Sequence, residues 1–260
     1  MSFVINPYRF AAGGGGGFTD PTDIAGLDLW LDASDNSTVL DATDTAAADD
    51  EAVKTWQDKS GNANHAVQAT VSQQPLRMAA EINSLDAVYF NGTDDVMAGT
   101  SALTPSQTEA KTMFVVSKFD TGTTAGTGGA VLDLYDGSDV GSAGLVTGEI
   151  AYRTNTRTWV SSSPVGTTNP NIITMTQSGS GNIHDVISMW LDGASVTRTS
   201  GTDGALAQDL TYEYSVGGVT RASLPFNGKV CEVIVYDSEL SASDRGDVET
   251  YLANKWGVTI

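Results

Sequence analysis

The feature that most constrains the fold is a series of short β-favouring segments separated by turn residues. Asp192-Gly193 stands between the predicted strand segments 187–191 and 194–199, a pattern typical of a two-residue hairpin. Leucines alternate with other residues over 27–31, as in a strand with one buried face. Many short strands with almost no helical period predict an all-β protein, an antiparallel β-sandwich. The other predicted strands are 53–56, 66–68, 87–90, 113–119, 130–135, 148–153, 158–161, 172–177, 185–191, 212–216 and 228–236.

One α-helix is predicted, at the C-terminus. Ser241 is its expected N-cap, with Asp244 three residues later, and Gly257 marks its end. Apolar residues recur between these positions at helical spacing, so we expect the helix to close one edge or end of the sandwich. These residues are Val248, Tyr251, Leu252 and Trp256.

Residues 1–20 form a separate segment, an extended N-terminal arm ahead of a domain over 21–260. Five glycines, Gly13 to Gly17, act as a swivel between the two. An apolar peptide of this length cannot bury itself, so we expect it to bind a partner protein by inserting side chains or adding a strand. The alternative is that the arm packs on its own sandwich as an edge strand. Its candidate partner contacts are Phe3, Val4, Ile5, Tyr8, Arg9 and Phe10.

The charge of the chain excludes two classes of partner. There are 32 acidic and 13 basic residues, a formal net charge of −19, whereas binding nucleic acid requires clustered Lys and Arg. An acidic surface repels anionic membranes, and no apolar run has the length to span a bilayer. Asn6, Pro7 and Arg9 interrupt what would be the apolar part of a signal peptide. We therefore expect synthesis in the cytoplasm, with no nucleic-acid partner and no membrane insertion.

An ordered series of motifs then gives the chain a family likeness. The motifs are Leu29-Trp-Leu-Asp-Ala33, Trp56-Gln-Asp-Lys-Ser-Gly-Asn62 with His65-Ala66, Val88-Tyr-Phe-Asn-Gly-Thr-Asp-Asp95, Met189-Trp-Leu-Asp-Gly193, Phe226-Asn-Gly-Lys-Val-Cys-Glu-Val-Ile-Val-Tyr-Asp237 and the C-terminal helix. Over about residues 26–260, this series resembles the laminin-G-like jelly rolls of the concanavalin A-like lectin/glucanase superfamily. The resemblance implies a jelly-roll β-sandwich of two curved antiparallel sheets. That fold serves lectins, hydrolases, adhesion modules and spacers alike.

The sequence lacks the acidic pattern of the glycan-cleaving members. Those enzymes carry carboxylates at alternate positions of one strand, in a Glu-x-Asp-x-(x)-Glu run. Glu232 has no acidic residue two positions away, and Asp247 and Glu249 fall on the predicted helix, where they point in different directions. Neither His65 nor His184 stands in a nucleophile motif. We therefore predict that the protein is not an enzyme.

The acidic loop that follows the first strand raises calcium as a candidate ligand. Several loop carboxylates could supply the oxygens that calcium needs, although their spacing matches no EF-hand. An ordinary solvated loop is the alternative, and no other cofactor is expected. The candidate residues are Asp32, Asp35, Asp41, Asp44, Asp49 and Asp50.

Glycan binding would need exposed aromatic rings with polar neighbours. Trp30, Trp159 and Trp190 are the candidate rings, whereas Trp56 and Trp256 are predicted to lie in the core. Arg153, Arg157 and Trp159 form the candidate glycan-binding cluster, around the turn 155–157. The rival interpretation places Trp159 between the two sheets.

A lectin-like acidic domain on a tethering arm is similar to virion proteins of tailed bacteriophages, and so is the opening Asn-Pro-Tyr-Arg-Phe followed by glycines. This likeness implies a non-enzymatic structural protein on the virion surface, anchored by residues 1–20 to other virion proteins. Capsid decoration is the first expectation for its location, and attachment to a tail or fibre the second. The alternative is an adhesin or lectin that recognises host-surface glycans.

Overall fold

A computed structural model describes residues 17–104, 108–120, 129–135, 143–146, 149–153, 158–164, 169–206, 213–218 and 225–260. Within these ranges the chain forms β-strands, two α-helices and three short 3-10 turns. The helices are α1 (Ile183–Val186) and α2 (Ala242–Trp256). The strands are β1 (Leu27–Asp32), β2 (Val39–Leu40), β3 (Glu51–Ala52), β4 (Thr55–Trp56), β5 (Ala66–Val67), β6 (Leu76–Ile82), β7 (Leu85–Asn91), β8 (Met97–Gly99), β9 (Lys111–Phe119), β10 (Ala130–Tyr135), β11 (Ala143–Val146), β12 (Glu149–Arg153), β13 (Thr158–Pro164), β14 (Asn171–Gln177), β15 (Ile187–Leu191), β16 (Ala194–Ser195), β17 (Arg198–Ser200), β18 (Glu213–Val216) and β19 (Asn227–Tyr236).

The strands form two antiparallel sheets, as the sequence predicts. The first sheet has the order β16-β15-β14-β9-β19-β7-β6-β3, with β1 paired to β19 beyond the end of β7. The second sheet has the order β17-β13-β12-β11-β10-β18-β8-β5-β4-β2. The two sheets enclose a buried apolar core that includes Leu29, Trp56, Phe90, Tyr214 and Phe226. The described part of the chain is therefore a β-sandwich, which confirms the predicted fold class.

Strand β1 shows how the sequence pattern sets both faces of the first sheet. Leu29 and Leu31 point into the core between the sheets, whereas Trp30 joins a second apolar cluster on the outer face. Leu27, predicted on the same face as the other two leucines, packs with Trp30 instead, because the register with β19 shifts between Leu27 and Leu29. The same alternation in β9 places Val115 inside and Phe114 outside. Because both faces of this sheet are apolar, its outer face needs a cover.

Helix α2 supplies that cover. Its N-cap is Ser241, whose side chain accepts a hydrogen bond from the Asp244 amide, and Gly257 ends it with a φ of 72°. Val248, Leu252 and Trp256 are buried against the outer face of the first sheet. The predicted cap, end and apolar stripe are confirmed. The predicted location was wrong, because the helix covers a face rather than an edge or end of the sandwich.

The hairpin at Asp192-Gly193 is also confirmed. The two residues have φ values of 49° and 74°, which are the left-handed conformations that a tight hairpin turn needs, and they join β15 to β16. The strand before the turn is shorter than predicted, because 183–186 form the single helical turn α1. The acidic loop of 32–52 also contains the two short strands β2 and β3.

The segment that follows the glycine run is tied to the first sheet. The Phe18 ring packs edge-on against Tyr251, with ring centroids 6.2 Å apart. Asp20 caps the 3-10 turn Pro21–Asp23, and the Tyr236 hydroxyl donates a hydrogen bond to the Pro21 carbonyl oxygen at 2.9 Å. The arm contacts predicted at Phe3, Val4, Ile5, Tyr8, Arg9 and Phe10 lie outside the described residues. No helix in the described ranges is both long and apolar enough to cross a membrane.

Candidate functional site

The fold brings two carboxylates together on the outer face of the first sheet. Asp32 on β1 and Glu232 on β19 are direct register partners, although they are far apart in the sequence. Both lie beneath α2, where Glu232 is fully buried and Asp32 is 3% exposed. A pair of carboxylates on neighbouring strands is what a glycosidase would need. The question is therefore whether a substrate could reach this pair.

The hydrogen bonds of Glu232 answer it. Its Oε1 accepts hydrogen bonds from Trp30 Nε1 at 2.7 Å and from the Tyr251 hydroxyl at 3.0 Å. Its Oε2 accepts one from Trp256 Nε1 at 2.6 Å and is paired with Lys255 Nζ at 2.9 Å. Burial raises the pKa of Glu232, and the Asp32 charge adds to that rise. Both oxygens are occupied by protein donors, so Glu232 has no capacity left for a substrate.

Asp32 is held in the same way by two lysines. Burial alone would raise its pKa, but Lys255 at 2.7 Å and Lys59 at 2.9 Å hold the pKa of this carboxyl below its ordinary value. Lys59 also lies over the Trp30 ring, 4.4 Å from the ring centroid. We call Asp32, Glu232, Lys255, Trp30 and Trp256 the buried network. These contacts join α2 to β1 and β19, so the buried network stabilises the fold.

The motif 56–66 that carries much of the family likeness is likewise structural. Asp58 accepts hydrogen bonds from the Trp30 amide and from the amides of Ser60 and Asn64. Asn62 and Asn64 donate their side-chain amides to the Asp28 carbonyl oxygen. The turn therefore fixes the start of β1.

Neither histidine is placed with a nucleophile. His65 Nδ1 accepts a hydrogen bond from the Asp58 amide at 3.0 Å, so this ring helps to hold the turn 56–66. His184 Nδ1 lies 3.5 Å from Asp203 Oδ1. Both rings are therefore engaged by neighbours of their own chain.

Four carboxylates of the acidic loop, those of Asp35, Asp41, Asp44 and Asp49, contact other groups of the chain. Asp41 accepts hydrogen bonds from the amides and hydroxyls of Thr45 and Thr43, which lower its pKa to about 2. Asp44 pairs with Lys54, Asp35 pairs with Lys59, and Asp49 accepts the Ala79 amide. Across the described ranges, no group of three or more acidic, histidine or cysteine side chains is arranged to hold a metal ion. These contacts favour the solvated-loop alternative over a calcium site.

Of the four tryptophans whose side chains the structure describes, three are buried. Trp56 and Trp256 lie in the two apolar clusters, which confirms the prediction for both. Trp30 was a candidate glycan platform, but only 7% of it is exposed and its ring lies within the buried network. It therefore cannot stack on a sugar.

For the predicted cluster of Arg153, Arg157 and Trp159, the structure describes only the backbone positions of Arg153 and Trp159. Arg157 lies outside the described residues, as do the side chains of Arg153 and Trp159. In the register of β12 and β13, Trp159 pairs with Tyr152, and Arg153 pairs with Thr158. Consecutive positions alternate between the faces of a strand, so Arg153 and Trp159 occupy positions on opposite faces of the second sheet.

Trp190 is the candidate that remains. It lies on β15, on the outer face of the first sheet, next to the edge strand β16. Its register partners are Thr174 on one side and the exposed Ser195 on the other. The side chain is partly exposed, and it belongs to neither apolar cluster. A large aromatic ring therefore borders solvent at an edge of the sandwich.

Arg245 on α2 completes this feature. Its guanidinium carbon lies 4.1 Å from the centroid of the Trp190 ring, in a cation–π arrangement. Its Nη1 donates hydrogen bonds to both carboxylate oxygens of Glu249, at 2.8 and 2.7 Å. Only 4% of the Glu249 side chain and 16% of the Arg245 side chain are exposed, so the guanidinium is firmly positioned. We call Trp190, Arg245 and Glu249 the edge site.

The sequence predicts Trp190 as a candidate ring but does not show which residues contact it. Arg245 and Glu249 are four positions apart on α2, the spacing at which helical side chains interact, and this was the one local signal available. The contact between α2 and β15 depends on how the helix lies over the sheet. The residues of the segment 183–200 do not by themselves determine where α2 packs on the sheet.

The fold is shared with solved structures. Domain 4 of AbnA, a GH43 extracellular arabinanase from Geobacillus stearothermophilus, in complex with arabinotriose, matches with a TM-score of 0.57 and 12% identity, over 86% of this chain and 98% of that chain. Trypanosoma rangeli sialidase matches with a TM-score of 0.53 and 16% identity, over 95% of this chain and 36% of that chain. The binding domain of Paraclostridial Mosquitocidal Protein 1 matches with a TM-score of 0.53 and 12% identity, over 90% of this chain and 53% of that chain.

These similarities show the β-sandwich fold of jelly-roll type. The chain corresponds to nearly the whole arabinanase domain, but to about a third of the sialidase chain and half of the mosquitocidal chain. A scan of protein-family models and a search of curated proteins both find no match.

Proposed function

We propose that this protein is a non-catalytic carbohydrate-binding module and that the edge site contacts the sugar. The observation that carries the proposal is the partly exposed Trp190 ring stacked on a fixed Arg245. A sugar offers C–H groups that pack on an aromatic ring and hydroxyls that accept hydrogen bonds from a guanidinium. The exposed Ser188 and Ser195 lie on the same face and add polar groups around the ring.

Two further findings support this proposal. The arabinanase domain of the same fold, which this chain matches along almost its entire length, was solved in complex with arabinotriose. The one pair of register-partner carboxylates described above, Asp32 and Glu232, is closed to substrates by its own hydrogen bonds. A binding role therefore fits the described geometry better than hydrolysis does.

Replacing Trp190 with alanine should weaken saccharide binding by about tenfold or more, because the stacking surface is removed. The free energy of unfolding should fall by about 1–3 kcal/mol, because the cation–π contact and the buried part of the ring are both lost. Binding would be measured on an array of oligosaccharides that includes arabinotriose, followed by titration calorimetry on the glycans that bind. Tyr89→Ala is the matched control, because Tyr89 is also a partly exposed aromatic on the outer face of the same sheet.

A second role is favoured by residues 1–20, the apolar arm with its glycine swivel. We infer from it that the module is anchored to a larger assembly, the surface of a phage particle, at the capsid or at a tail or fibre. Deleting residues 1–17 should abolish this attachment and leave the fold intact, because Phe18, which packs on Tyr251, is retained. Mass spectrometry of purified particles would measure occupancy. Full occupancy by the truncated protein would rule out the arm as the anchor.

A further inference from the structure

Arg245 keeps part of its hydrogen-bonding capacity free. Both of its hydrogen bonds to Glu249 use Nη1. In the part of the chain that the structure describes, its Nε and Nη2 atoms donate no hydrogen bond. A guanidinium presents its remaining N–H groups in a rigid plane. The edge site therefore has unused donors beside the Trp190 ring, at a position that the contact with Glu249 fixes.

The charge of this guanidinium is already balanced. A free arginine beside an aromatic ring would favour a carboxylate or sulfate group, which it could bind through two parallel hydrogen bonds. Glu249 takes that place, and because its carboxylate is 4% exposed, water screens the ion pair only weakly. The ion pair of Arg245 and Glu249 has no net positive charge, yet it still presents N–H donors to a ligand. The formal charge of −19 on the whole chain adds a further barrier to anions.

We propose that Glu249 is the specificity-determining residue of the edge site and restricts it to uncharged saccharides. The inference rests on the proposed function and adds a ligand class to it. The free N–H groups of Arg245 donate to hydroxyl and ring oxygens of a neutral sugar packed on Trp190. Uronic, sialylated and sulfated saccharides are rejected. Their negative charge has no unpaired cation to bind at this site, and it is repelled by the carboxylate of Glu249.

The test is the substitution Glu249→Gln. Glutamine keeps the size of the side chain and an oxygen that accepts from Arg245 Nη1, but it removes the negative charge. Binding of sulfated and uronic oligosaccharides should then become at least about tenfold tighter at low salt. That gain should shrink in about 0.5 M sodium chloride, because it comes from the removed negative charge. Asp247→Asn is the matched control, since it removes one exposed charge from the same helix.

The outcomes separate this inference from the function on which it rests. If the wild-type protein binds no saccharide on the array, the proposed function fails. If it binds neutral saccharides but Glu249→Gln gains no acidic ones, Glu249 does not set specificity and the proposed function stands. A wild-type protein that prefers acidic saccharides would overturn the inference even if Glu249→Gln does not fold. Equal gains in Glu249→Gln and Asp247→Asn would also overturn it, because they would show an effect of total charge.

Discussion

Replacing Lys255 with methionine is expected to lower the free energy of unfolding by about 3–5 kcal/mol, because the substitution leaves two buried carboxylates without their shared cation. Lys255 Nζ lies 2.7 Å from Asp32 Oδ1 and 2.9 Å from Glu232 Oε2, beneath the end of α2. Methionine keeps the apolar stem of the side chain, so the loss comes mainly from charge. Urea unfolding monitored by circular dichroism would measure it.

Two comparisons make this experiment specific to the buried network. Lys54→Met removes a lysine from the surface pair with Asp44, whose side chains are 33% and 66% exposed, and should cost less than about 1 kcal/mol. The double variant Lys255→Met with Glu232→Gln should recover part of the loss, because one uncompensated charge is then gone. Equal losses for Lys255→Met and Lys54→Met would show that the network does not hold the helix.

Asp133 should make the protein less stable as the pH rises from about 4 to about 7. This residue lies on β10, between the core residues Leu132 and Leu134, and so faces the outer side of the second sheet. It is 2% exposed, and burial raises its pKa to about 7. Among the residues that the structure describes, none forms a hydrogen bond with its Oδ2. Within that pH range the folded protein keeps the proton and the unfolded chain releases it, so unfolding becomes easier.

The substitution Asp133→Asn isolates this effect, since asparagine has the same shape and no charge. The raised pKa corresponds to a loss of up to about 4 kcal/mol above pH 7, at about 1.4 kcal/mol per pKa unit. Asp95 and Lys111 also have shifted pKa values near neutrality, so the informative quantity is the difference between wild type and variant. Unfolding free energies at pH 4, 6 and 8 would supply it. Parallel pH profiles for the two proteins would contradict the assignment to Asp133.

Local sequence patterns were sufficient to predict much of the fold. The alternation over 27–31 predicted a strand with one buried leucine face, which Leu29 and Leu31 confirm, whereas Leu27 packs with Trp30 on the other face, which is also buried. Asp192-Gly193 predicted a hairpin, because few residue pairs adopt the left-handed backbone of a tight turn at low energetic cost. Ser241 predicted the start of α2 because its hydroxyl can accept a free amide of the first turn. In each case the determining interactions lie within a few residues of one another.

The placement of α2 and the residues of the edge site required the tertiary structure. The continuous apolar run of 113–116 indicates a strand buried on both faces, yet it does not say which element covers the second face. The register of Asp32 with Glu232 joins opposite ends of the chain and has no local signal. Arg245 reaches Trp190 only because the helix lies over the sheet at that position. Such contacts depend on packing between distant segments, which periodicity alone does not encode.

The central claim, that Trp190 contacts a saccharide, is tested most directly by nuclear magnetic resonance on protein labelled with ¹⁵N at its tryptophans. The indole N–H signal of Trp190 would be identified by its absence in Trp190→Phe, and arabinotriose and the glycans selected on the array would be titrated. We predict that this signal shifts with increasing ligand while those of Trp30 and Trp256, which donate to Glu232, stay in place. Saturable binding that shifts other tryptophan signals and leaves that of Trp190 unmoved would contradict the account.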